Sequence, residues 1–292
     1  MSLRGDDFLR ISLLTSAALV AFAANSLLCR SALGSAAIDA ASFSSLRLAS
    51  GALTLAALSR FGRRPAPSER GSWLSAAALF LYVAAFSFAY LSLPAGTGAL
   101  ILFGAVQTTM IVAGLVAGER PRLPEWAGLL VAVGGLILLF FPGLTAPSPR
   151  GGALMAVAGV SWGGYSLRGR GTVNPLAVTC DNFGRAVPLA LALNLVMVPT
   201  AFLTPKGVLL AMLSGSLASG GGYVLWYAVV RRMTATLAAT VQLAVPVLAT
   251  AGGVVLLRET LTLRLVVASL AILGGVTLAV RSHARSSRQR RD

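Results

Sequence analysis

The chain is poor in charge and poorest in acid. Asp and Glu number 9 in 292 residues, and the one histidine is His283, near the C-terminus. Charged residues make up 11% of the sequence and hydrophobic ones 56%, about half the charged share of an ordinary soluble domain. A water-soluble fold cannot hide that much apolar surface, so a membrane protein is expected. The same scarcity excludes the groups an intramembrane enzyme needs. At depth there is no HExxH, no Ser/His pair and no pair of aspartates. Cysteine is scarce too: Cys29 and Cys180 stand far apart in apolar surroundings and read as small buried hydrophobes, with no disulfide and no metal site. No cofactor is expected.

What charge exists is mostly basic, giving a net +15. Nucleic-acid binding would need those cations on one soluble face, whereas here they cap apolar runs. Residues 282–292 read as a basic cytoplasmic tail beside anionic lipid headgroups. The expected partners are a small-molecule substrate and the lipid bilayer, with a homodimer left open and no nucleic acid.

Three long stretches carry no charge at all: 71–118, 126–149 and 233–257. A hydrocarbon core about 30 Å thick needs about 20 apolar helical residues, so each can cross at least once. Breaks at Gly, Pro and charge divide the chain into ten candidate spans, near 9–30, 40–60, 72–92, 95–117, 124–142, 151–168, 176–202, 206–230, 234–257 and 261–281. The second is interrupted by Arg47 and the seventh carries Asp181 and Arg185. Residues 11–23 resemble a secretory signal ending in Ala21-Phe22-Ala23, but a repeat described below uses this helix, so it is expected to be retained.

With the N-terminus in the cytoplasm, seventeen basic residues fall on the cytoplasmic side. They are Arg4, Arg10, Arg60, Arg63, Arg64, Arg70, Arg120, Arg122, Arg168, Arg170, Arg231, Arg232 and five in the tail. Only Arg30, Arg150, Lys206, Arg258 and Arg264 fall on the other. The bias places both termini in the cytoplasm.

A shift of 140 residues superimposes Glu119 on Glu259 and Gly134-Gly135 on Gly274-Gly275. It also superimposes Asn25 on Tyr165 and Arg30 on Arg170, and a two-residue gap brings Arg47 onto Arg185. Five spans per copy, an odd number, require the copies to enter the membrane in opposite senses. The expected fold is therefore an all-α polytopic membrane protein with ten transmembrane helices in two inverted five-helix repeats, 1–143 and 149–281. Such repeats are common in secondary carriers, with the substrate near the midplane between them.

The stretches AYLSLPAGTGALI (89–101), AGERPRLPEWAGLLVAVGGLILL (117–139), AGVSWGGYSL (158–167) and 235–275 resemble the drug/metabolite transporter superfamily, in particular its EamA-type members. The resemblance covers nearly the whole chain. It implies a bacterial inner-membrane carrier, usually an exporter, for amino acids, nucleoside-like metabolites or toxic small molecules. A Tyr-Leu-Trp-Pro-like stretch of aromatic amino-acid exporters is replaced here by FGAVQTT (103–109). A channel or a membrane scaffold is the competing class.

With few charges in the membrane, selectivity falls to amides and aromatics. The candidate cavity residues are Asn25, Tyr82, Gln107, Trp162, Tyr165 and Gln242. Interhelical hydrogen bonding is the plainer use for the two glutamines. Pro246, one turn after Gln242, frees a backbone carbonyl, a break tolerated where it lines a cavity. Tyr90, Trp226 and Tyr227 lie near span ends and read as interfacial anchors. A charge at mid-membrane costs roughly 2.5–3.5 kcal/mol on insertion scales. Arg185 can be neutralised by Asp181 one turn earlier, whereas Arg47 is expected to snorkel or to hold carbonyls at a repeat boundary. Glu119 and Glu259 read as local ion pairs with Arg120 and Arg258, or as helix-end locks. With no titratable acid at depth beyond Asp181, weakly coupled or facilitated exchange is expected.

Overall fold

The computed structural model describes residues 5–61, 69–117, 123–140, 146–169, 172–230 and 241–289. The described residues are helical throughout, apart from turns and one isolated bridge between Ile38 and Leu203. In chain order the helices are α1 (Gly5–Gly34), α2 (Ala40–Phe61), α3 (Trp73–Ala89), α4 (Ala95–Val116), α5 (Leu123–Phe140), α6 (Pro149–Arg168) and α7 (Pro175–Met197). Then follow α8 (Pro205–Val230), whose middle turns are a π-helix, α9 (Ala244–Leu257) and α10 (Leu263–Gln289). Among the described residues, five stretches are long and apolar enough to cross a membrane: Leu9–Gly34, Ala40–Arg60, Ala95–Val116, Pro175–Thr200 and Pro205–Val230. Trp73–Ala89, Trp126–Leu139, Ala244–Leu257 and Leu263–Leu278 are shorter apolar helices.

Local chemistry sets several starts. Ser148, Asn174 and Thr204 each precede a proline, and each side chain accepts the N–H three residues on. Proline at the first helical position loses no intrahelical bond, and the preceding side chain satisfies one orphan donor. Asp39 does the same for α2, accepting from Ser42 N at 2.9 Å. Arg47 does not break α2, which runs unbroken past it.

The main helix contacts correspond when helices of the first half are exchanged for those of the second. Helix α6, from the second half, packs on α3 and α4, and α1, from the first, packs on α8 and α9. Helices α2 and α7 pack together, as do α4 and α9, and α5 and α10.

The α5–α10 contact resolves the two Gly-Gly pairs. A Cβ on Gly135 would meet Ala271, Ile272 and the Ala268 carbonyl; one on Gly275 would meet Ala132 and the Gly128 carbonyl. Gly134 and Gly274 face open space. Only the second glycine of each pair is a close-packing notch. Gly135→Val and Gly275→Val are each expected to cost about 1–3 kcal/mol by overpacking, while Gly134→Ala is neutral or up to about 1 kcal/mol stabilising through helix propensity. Thermal unfolding of the purified variants in detergent checks the contrast.

Candidate functional site

A cavity of about 450 Å³ lies between the halves. All six amide and aromatic candidates line it: Asn25 from α1, Tyr82 from α3, Gln107 from α4, Trp162 and Tyr165 from α6, and Gln242 just before α9. Phe22, Phe86, Tyr223, Trp226, Tyr227 and Arg47 complete much of the wall.

The aromatic lining matches itself under a shift of about 140 residues. Shifted by 140, Phe22 falls on Trp162; shifted by 141, Tyr82 falls on Tyr223 and Phe86 on Tyr227. Phe22 meets Tyr223 at 6.2 Å between ring centroids, and Trp162 meets Tyr82 at 4.9 Å. Tyr82–Phe86 and Tyr223–Tyr227 are 5.5 and 5.9 Å apart. Trp162 also bridges to Tyr223, at 5.5 Å, so the two aromatic sets join across the cavity. Trp226 and Tyr227 are therefore wall residues and not interfacial anchors. Tyr90 is no anchor either: it is fully buried, with its hydroxyl on the Ala95 carbonyl at 3.2 Å. Proximity to a span end misled because the ends of α3 and α8 are themselves covered by neighbouring helices.

Arg47 does not snorkel. It is 2% exposed. Its Nε donates to Ser219 Oγ at 3.3 Å and its Nη2 to the Tyr82 hydroxyl at 2.9 Å. The guanidinium lies 4.8 Å from the Phe86 ring centroid and 5.3 Å from that of Tyr82. Helices α3 and α8 cover it on both sides, which removes any path to the interface. Asn25 Oδ1 accepts from Ser214 Oγ at 2.8 Å and from Ser219 Oγ at 3.3 Å. Neither Gln107 nor Gln242 has a side-chain hydrogen bond to a described residue, so the interhelical use expected of them does not appear there. Pro246 lies in the first turn of α9, which is capped at Leu243, so the backbone is interrupted directly after Gln242.

Arg185 pairs with Asp181, its Nε and Nη2 donating to the two carboxylate oxygens at 3.1 Å each, and it stacks over Trp73. Asp181 also accepts from Gly71 N, and Asn182 Oδ1 accepts from Ser72 N. Glu69 accepts from the N–H groups of Val173 and Asn174, which hold its carboxyl below the usual range. Arg168 donates to Ser75 and Ser72. The start of α3 is thereby strapped to the α6–α7 corner. The cavity reaches the exposed Arg168 and Gly169 at this end.

Toward the opposite end, Glu259 ties neighbouring helices together. Its partner is Arg30, at 3.3 Å, and not Arg258. Arg258 instead adopts a left-handed backbone, φ 55°, that ends α9 and turns Glu259 back toward the helices. Both carboxylate oxygens accept from Ala95 N at 2.9 Å, and Arg30 Nη1 donates to the Tyr90 carbonyl at 3.1 Å. Glu259 thus caps α4 and pins α1 to the α3–α4 turn, a helix-end lock across the halves. Glu119 lies outside the described residues.

Residues 149–281 match the model of the EamA-like transporter family. The chain is 53% identical over 269 residues to uncharacterized protein PA1977 of Pseudomonas aeruginosa, covering 92% of this chain and 94% of that one. It is 30% identical over 166 residues to the uncharacterized transporter YwfM of Bacillus subtilis, covering 54% and 56% of the two chains. A protein of known crystal structure, 21% identical, aligns with 92% of this chain and 96% of its own at a TM-score of 0.61, which establishes a shared fold.

Proposed function

Because the chain belongs to the EamA-like transporter family, a drug/metabolite transporter of the membrane, we propose that it is a secondary carrier, operating as an exporter for a small metabolite such as an amino acid or drug-like compound. It works by alternating access between two inverted five-helix repeats in the bacterial inner membrane, with both termini cytoplasmic. The carrying observation is the cavity between the halves, whose Phe22–Tyr223 and Trp162–Tyr82 contacts are exchanged by the 140-residue repeat. Exchange-symmetric packing of α1 on α8 and α9, and of α6 on α3 and α4, supports the inverted arrangement.

The arginine distribution supports an orientation with the Arg168 end of the cavity in the cytoplasm and the Arg30–Glu259 pair on the far side. A cavity open at one end and pinned at the other is one of the two states that alternating access requires. Transport then exchanges which end is pinned, and with no acid among the described lining residues the step is weakly coupled or facilitated.

Counterflow in proteoliposomes tests this. Vesicles preloaded with an unlabelled metabolite pool, screened one candidate at a time, are expected to accumulate the labelled compound transiently and saturably. Uptake that never saturates indicates a channel, and no flux of any compound that shifts the melting temperature indicates a scaffold. Strong uptake driven only by an imposed pH gradient overturns the coupling assignment.

A further inference from the structure

Arg47 and Arg185 are repeat-related, yet their surroundings differ in one decisive way. Arg185 has Asp181 four residues earlier; at the equivalent place before Arg47 stands Phe43, fully buried. The second-half cation is neutralised on its own helix and the first-half cation is not. Arg47 lines the cavity at 2% exposure with no carboxylate against it among the described residues, and its Nη1 has no hydrogen-bond partner there. Among the described lining residues the charged side chains are Arg47 and Arg168, both positive. A buried guanidinium without a counter-ion is costly. Its two hydrogen bonds and the Tyr82 and Phe86 rings offset part of that cost, and an entering anion would offset the rest.

Hydrogen-bond directions around Arg47 point the same way. Arginine can only donate. Tyr82 Oη accepts from it, so the tyrosine proton is left to point elsewhere. Ser219 Oγ accepts from it and passes its own proton to Asn25 Oδ1, which takes a second from Ser214. With its oxygen occupied on the protein side, Asn25 keeps its amide N–H groups for the cavity. A cation at the root of both relays turns their ends into donors, at Tyr82 and at Asn25. Gln107, with no hydrogen-bond partner among the described residues, lies on the same wall. Beside these donors stand the stacked Trp162 and Tyr165 rings, centroids 5.6 Å apart, which favour a flat apolar body.

From this arrangement we infer that the cavity takes an organic monoanion with an aromatic or similarly planar body, its carboxylate received by Tyr82 and Asn25 in the field of Arg47. The inference rests on the cavity being the substrate site proposed above. A cationic ligand is disfavoured although the wall is aromatic, because Arg47 already occupies the Tyr82 and Phe86 faces and repels a second positive charge.

Three ligands of one shape test it on the purified full chain: 3-phenylpropionate, its methyl ester and phenethylamine, each titrated by thermal shift in detergent and then by counterflow. 3-Phenylpropionate is expected to bind at least tenfold more tightly than the ester and the amine. Arg47→Met removes that preference while the protein still melts cooperatively. Tyr82→Phe, which keeps the ring and loses the donor, weakens the anion about tenfold and leaves the ester unchanged; it serves if Arg47→Met fails to fold. Preference for the amine or the ester, or a preference for the anion that survives both substitutions, overturns the inference while leaving a carrier in place. Anion binding that follows both substitutions but never gives counterflow supports the site and removes the carrier reading.

Discussion

Glu259→Ala is expected to unseal the pinned end of the cavity. The carboxylate receives two N–H groups, Ala95 N at the start of α4 and Arg30 Nε from α1. The pair is mostly shielded, with 26% and 15% of the two side chains exposed, so solvent screening removes little of it. A charge-assisted hydrogen bond contributes about 1.5–3 kcal/mol. Losing about 2 kcal/mol from the closed state raises the open fraction more than tenfold, since 1.4 kcal/mol is a factor of ten. The neighbouring thiol reports it: Cys29 is fully buried, one residue before Arg30. In a Cys180→Ser background, modification of Cys29 by a membrane-impermeant thiol reagent should therefore accelerate at least tenfold in Glu259→Ala. Glu259→Gln keeps an acceptor for Ala95 N and falls between. Arg30→Ala with Glu259→Ala together should shift the rate by less than the sum of the single effects, because the second change removes a bond already broken. Unchanged labelling in Glu259→Ala means that packing alone closes this end.

The sequence offers Glu259 as a local pair or a helix-end lock, and why it does not choose between them is a matter of distance. Arg30 and Glu259 are 229 residues apart, and Glu259 has an arginine as its immediate neighbour. Nothing local reveals that Arg258 spends its conformation on a left-handed turn that aims the acid elsewhere. The helices themselves were legible because their limits are chemical: Ser148-Pro149, Asn174-Pro175 and Thr204-Pro205 are start signals wherever they occur. The amides and aromatics at Asn25, Tyr82, Gln107, Trp162, Tyr165 and Gln242 were legible as a set because polar and aromatic side chains deep in apolar runs have few places to go, and the structure brings them to one cavity. The burial of Arg47 is invisible in the sequence for the opposite reason. Snorkelling depends on what covers the side chain, and the covering residues, Tyr82, Phe86 and Ser219, come from two other helices. The Gly-Gly pairs show the same limit at single-residue scale. Their presence was visible, but which glycine faces the partner helix depends on the rotation of α5 and α10 about their axes.

Gly215→Ala is expected to be among the most disruptive single substitutions in the chain, and the reason lies in the π-helix of α8. Ser214 and Ser219 both donate to Asn25 Oδ1. Five residues apart, they would be separated by about 140° around an α-helix; in a π-helix, whose hydrogen bonds run i to i+5, they share a face. The Ser214–Gly221 turns are therefore what let one helix hold Asn25 twice and reach Arg47 as well. The widened turn also presses Gly215 onto α2, where a Cβ would overlap Ser50 Oγ and the Arg47 carbonyl oxygen. The serine can rotate away. The carbonyl cannot, because it belongs to the α2 backbone, so α8 must withdraw and take Ser214 and Ser219 with it. Overpacking of this kind costs typically 1–3 kcal/mol and occasionally more; with a backbone atom as the obstacle the expectation is about 3 kcal/mol. Gly184→Ala in α7, where a Cβ meets nothing within 4 Å, should instead leave the protein as stable or up to about 1 kcal/mol more stable. Thermal unfolding of both variants in the same detergent separates them. If Gly215→Ala melts with the wild-type chain, the π turns relax to α at little cost, and the serine relay between Arg47 and Asn25 is not what fixes this part of the cavity.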